Sequence, residues 1–122
     1  MDKLDLAWDT FHFYTSECHK QEDKYQLLVG TINNFFKDNR TPTRHQRKRL
    51  INKFCQNIDL LFVLYKKQSD ALDEIISLSQ ENEEIPIDKE VDMASLLSLK
   101  NVTITLMHEL NRQKNEYKEF LS

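Results

Sequence analysis

From Ile51 to Ile75 a side chain of one helical face returns alternately every three and four positions: Ile51, Phe54, Ile58, Leu61, Tyr65, Gln68, Leu72 and Ile75. All but Gln68 are apolar or aromatic. That spacing matches the turn of an α-helix, so the stretch from Thr43 to Gln80 constrains the chain to a long amphipathic helix. Leu50, Leu64, Ala71 and Leu78 widen the apolar face on one flank, and Cys55, Phe62 and Ile76 widen it on the other. A face this broad needs two neighbouring helices to cover it.

Two further patterns supply those neighbours. The first runs from about Lys3 to Asp38 through Leu4, Trp8, Phe11, Thr15, Cys18, Glu22, Tyr25, Val29, Ile32 and Phe36. As one helix it would be about 50 Å long, which predicts a rod-like shape. Gly30, the one glycine of the chain, falls inside it and reads as a tolerated surface position. The break from Asp38 to Thr43 contains Pro42, which disfavours helix in the preceding residue. Thr43 followed by Gln46 has the pattern of a capping box, so the second helix starts there. A connection this short makes the first two helices antiparallel neighbours. The second helix ends before the acidic run that leads to Pro86.

The third pattern begins near Asp88 or Asp92, with a seam of Leu96, Leu99, Thr103, Leu106, Leu110, Gln113, Tyr117 and Phe120. Val102, Ile104 and Leu106 also alternate as in a strand, but no second strand candidate exists to pair with them. The expected fold is all-α: an elongated, coiled-coil-like antiparallel three-helix bundle, one domain over residues 1–122 with helices at about 3–38, 43–80 and 88–121. One glycine and two prolines among 122 residues, 30% of them charged, fit long helices joined by few loops.

Chemistry leaves little trace. No glycine-rich phosphate loop, nucleophile elbow, HExxH or paired CxxC spacing occurs, so no catalysis and no cofactor are expected. His12, Cys18 and His19 lie near one another in sequence, yet Cys18 belongs to the seam while the histidines flank it two turns apart. They do not converge as metal ligands must. No apolar run is long enough to span a membrane. The opening Met1-Asp2-Lys3 lacks the basic start and hydrophobic centre of a signal peptide, so a cytoplasmic or nuclear protein with Cys18 and Cys55 as free thiols is expected.

Surfaces say more. Leu60 and Val63 sit opposite the seam of the second helix, and Leu6 and Phe13 are similarly stranded on the first. These four are the candidate anchors of a protein interface, with another protein or a second copy as partner. The predicted role is a non-catalytic interaction module, a small helical subunit or adaptor of an intracellular assembly. Arg40, Arg44, Arg47, Lys48, Arg49 and Lys53 form a basic cluster at the start of the second helix, where the helix dipole favours negative charge. An external anion would relieve that arrangement, so the alternative is binding of nucleic acid or another anionic surface, although a net charge of −3 argues against a generally basic binder. Thr41, beside Pro42 and two arginines, is a candidate phosphorylation site.

Overall fold

The computed structural model describes residues 2–38, 42–81 and 93–121. Helix α1 spans Lys3–Asp38, α2 spans Arg44–Glu81 and α3 spans Met93–Leu121. Together they form a three-helix bundle with no strand among the described residues. Arg40 and Thr41 lie outside them, as do the acidic connection and the predicted third-helix starts at Asp88 and Asp92.

Local chemistry sets the helix starts. Asp2 Oδ1 accepts from the Leu4 amide at 3.2 Å, satisfying one of the orphan donors at the start of α1. The capping box is formed: Thr43 Oγ1 accepts from the Gln46 amide at 3.1 Å, and Gln46 Oε1 accepts from the Thr43 amide at 2.9 Å. Gly30 is exposed, and a Cβ added there would meet nothing within 4 Å among the described residues. It marks neither a close crossing nor a turn.

Helix α2 is the shared element. Its contacts run antiparallel to α1, with Phe54 near Tyr25 and Gln68 near Thr15, and antiparallel to α3, with Asp59 near Lys114 and Asp73 near Lys100. Helices α1 and α3 therefore run parallel on either side of it. No Cα atom of one comes within 8 Å of the other among the described residues, so they meet only through side chains.

The core falls into two clusters along the rod. One holds Cys18, Tyr25, Ile32, Phe54, Ile58, Leu61, Tyr65 and Leu110. The other holds Leu4, Ala7, Phe11, Ala71, Leu72, Ile75 and Leu96. Along each helix a polar seam residue separates them: Thr15, Gln68 and Thr103. Gln68 Nε2 donates to Thr15 Oγ1 at 2.9 Å, and the buried Thr103 hydroxyl donates to its own helix at Leu99 O, 3.0 Å away. Each polar seam position thus has a partner, which burial requires.

The seams of α1 and α2 are those read from the sequence, but that of α3 is not. Leu96, Thr103 and Leu110 are buried, whereas Leu99 and Leu106 are exposed. The face turned to α2 is completed by Lys100, Met107 and Lys114, each partly buried. Lys100 pairs with Asp73, and Lys114 reaches Asp59 at 2.6 Å. The reason is packing: α3 lies closely against α2 and reaches α1 through side chains, and the pairs that Lys100 and Lys114 make with α2 set which stripe faces inward.

Candidate protein-interaction surfaces

The four anchors named from the sequence all project into solvent. On α2, Leu60 is 48% exposed and Val63 49%; on α1, Leu6 is 52% exposed and Phe13 58%. The intramolecular bundle does not seal them, because its packing faces lie on the other sides of these helices. Leu27, 73% exposed, was missed by the sequence reading. It stands fourteen residues after Phe13, which itself follows Leu6 by seven, so all three share one outer stripe of α1. That seven-residue recurrence was the available signal.

Charge borders these patches. Lys67 Nζ lies 5.7 Å from the Tyr14 ring centroid, beside the Phe13–Tyr14 pair, whose rings meet edge to face at 5.1 Å. Lys66 and Asp70, joined at 3.0 Å, follow Val63 along α2. Apolar anchors inside a charged margin are how many protein interfaces are built.

A larger surface lies on α3. Leu97, Leu99, Val102, Ile104 and Leu106 are each between 36% and 53% exposed, all within three turns. With buried Leu96 and partly buried Met107 they make this stretch apolar all round, a pattern normal for a helix covered on every side. The signal lay in the alternation of Val102, Ile104 and Leu106. Alternation belongs to strands when one face is buried, but on a helix it spreads apolar groups around the circumference. Ile104 also joins Phe62 of α2 in a shallow groove between the two helices, floored by Ser69 and Met107.

The basic cluster sits at the opposite end of α2 from Leu72 and Ile75. Arg44, Lys48, Arg49 and Lys53 are exposed and Arg47 is half-buried. Among the described residues none of these five has an ion-pair partner, whereas Lys66, Lys100, Arg112 and Lys114 each do.

Titratable groups with displaced pKa values belong to the core and to ion pairs. Burial, followed by the nearby Glu22 and Glu17 carboxylates, pushes the Cys18 thiol up to about 11. Burial, then Tyr117 and Glu109, pushes Tyr25 up to about 12. Tyr65 is raised further by burial and by its hydrogen bond to Glu22. On the surface of α3, hydrogen bonds hold Glu109 low and Arg112 high. A thiol held protonated in a buried seam is a poor nucleophile. Cys18 is buried while His12 and His19 are exposed, and among the described residues no three His, Cys, Asp or Glu side chains are grouped to hold a metal ion. No described helix is long and apolar enough to cross a membrane.

Comparison with known protein families, with curated proteins and with solved structures finds no match to this chain.

Proposed function

We propose that this chain is a non-catalytic protein-interaction module, a small helical subunit or adaptor that joins a cytoplasmic or nuclear assembly by helix packing. The observation that carries the reading is the half-exposed state of Leu60 and Val63 on a helix whose seam is closed. Single exposed leucines are ordinary on protein surfaces. Here the exposed apolar side chains recur on the outer sides of all three helices, and those of α1 and α2 are bordered by charge that can select a partner. A partner presenting an amphipathic helix would bury Leu60 and Val63, with Leu6 and Phe13 as a second pair of anchors.

The test is the native mass of the complex recovered from the cell that makes the protein, measured intact. The expected mass exceeds that of this chain single or paired, and Leu60→Asp with Val63→Asp lowers it while helicity by circular dichroism is unchanged. A native mass that corresponds to this chain alone overturns the reading.

A second reading has its own observation, the five basic side chains from Arg44 to Lys53 that lack ion-pair partners among the described residues. They suit a phosphate-bearing surface, nucleic acid first. Salt separates the two readings: phosphate contacts weaken steeply with ionic strength, whereas apolar packing does not.

A further inference from the structure

We infer that the outer face of α3 pairs with the same face of a second copy of this chain, the two helices running antiparallel about a two-fold axis level with Lys100, beside Asn101. This names a partner within the protein-binding reading and rests on it. From Met93 to His108 the only residue with a permanent charge is Lys100, and its ammonium is engaged by Asp73 of α2 in the same molecule. The face that the described residues leave open over these four turns, about 24 Å of helix, therefore carries no charge of its own. It presents Leu97, Val102 and Leu106 among the smaller Ala94, Ser98 and Thr105. Outer α1 and α2 differ, because Leu60 and Val63 stand among Asp59, Lys66, Lys67 and Asp70.

A face without charge offers nothing for an oppositely charged partner to read, and it meets its own copy without like-charge repulsion. A two-fold contact needs a self-complementary patch. Antiparallel pairing supplies one: Ser98 falls opposite Val102 of the second copy, and Ala94 opposite its Leu106, so that small residues receive large ones. It also opposes the two helix dipoles and carries Glu109, Arg112 and Glu116 away from their counterparts. Parallel pairing would stack Glu109 on Glu109 and Glu116 on Glu116. The overall charge of −3 adds only weak repulsion between copies. A contact limited to four turns is small for a stable dimer, so the equilibrium belongs in the micromolar range.

The full chain is sedimented over about a thousandfold range of concentration. One chain mass at the dilute end should rise to two. Val102→Arg, which places a charge in the centre of the contact, should weaken pairing at least about tenfold, and Ser98→Arg should do the same. Leu60→Asp with Val63→Asp should leave pairing unchanged. With Cys18 and Cys55 replaced by alanine, Asn101→Cys should form an intermolecular disulfide readily and Glu109→Cys should not. A monomer at every concentration overturns the pairing, as does a dimer that both arginine variants leave intact or preferential cross-linking through Glu109→Cys. A chain that is monomeric alone yet enters larger complexes sensitive to Leu60→Asp and Val63→Asp overturns the pairing only.

Discussion

The Tyr65 hydroxyl of α2 donates to a Glu22 carboxylate oxygen of α1 at 2.8 Å, at the edge of the cluster that also buries Cys18 and Tyr25. One turn of α1 away, Tyr25 donates to Gln113 of α3. A pair of tyrosines thus ties α2 to α1 and α1 to α3, with their rings in the core and their hydroxyls at its margin. Glu22 also has His19 at 3.7 Å, so it is not wholly dependent on Tyr65.

Replacing Tyr65 with phenylalanine keeps the ring and removes the donor. A hydrogen bond to a charged, partly buried acceptor is worth about 1.5–3 kcal/mol, and the lower part of that range is expected because Glu22 retains access to water. Urea unfolding should show the loss as a lower midpoint with an unchanged slope. No change in midpoint would mean that the bond has no net value.

The same groups predict alkaline sensitivity. Cys18 is raised from 9.0 to about 11 and Tyr25 from 10.0 to about 12, so the folded chain holds protons that the unfolded chain releases. A raised folded pKa contributes stability that is complete below the unfolded value and is lost as pH climbs through the folded one. Stability should therefore be flat towards neutral pH on this account and should fall from about pH 9 to 12. Denaturant midpoints across that window test it, and a rising midpoint would contradict it. The two thiols should also separate: a thiol reagent near neutral pH should label the partly exposed Cys55 in the native protein and reach buried Cys18 only after unfolding. Equal labelling rates would show that the seam around Cys18 is open.

Phe54 links all three helices. Its ring stacks on Tyr117 of α3 at 4.4 Å and lies 5.8 Å from Tyr25 of α1, with 1% of its surface exposed. Phe54→Ala should cost about 3–5 kcal/mol by removing that contact and leaving a cavity. A loss below about 1 kcal/mol would imply that the site collapses without penalty.

Gly30 gives a prediction of opposite sign. It lies inside α1 with space for a Cβ, so Gly30→Ala removes a backbone-entropy cost without a clash and should stabilise the fold by about 0.5–1 kcal/mol. Thermal unfolding reads this directly. A lower melting temperature would place another group against that position.

Much of this architecture was legible in the residues alone. The spacing of Leu4, Phe11, Cys18, Tyr25 and Ile32, and of Phe54, Ile58, Leu61, Tyr65, Leu72 and Ile75, gives each helix one continuous stripe for the bundle to bury. Pro42 with the Thr43–Gln46 box placed the start of α2, since those effects act within a few residues. Helix α3 was different. With apolar residues at 96, 97, 99, 102, 104, 106 and 107, its first half has no single preferred direction, so periodicity could not say which stripe faces inward. Packing decided it. Lys100 and Lys114 found Asp73 and Asp59 on α2, a pairing between helices that no local pattern encodes, and that rotation turned Leu99 and Leu106 outward. Local periodicity settles an element that has one apolar face, whereas an element apolar on every side takes its orientation from its neighbours.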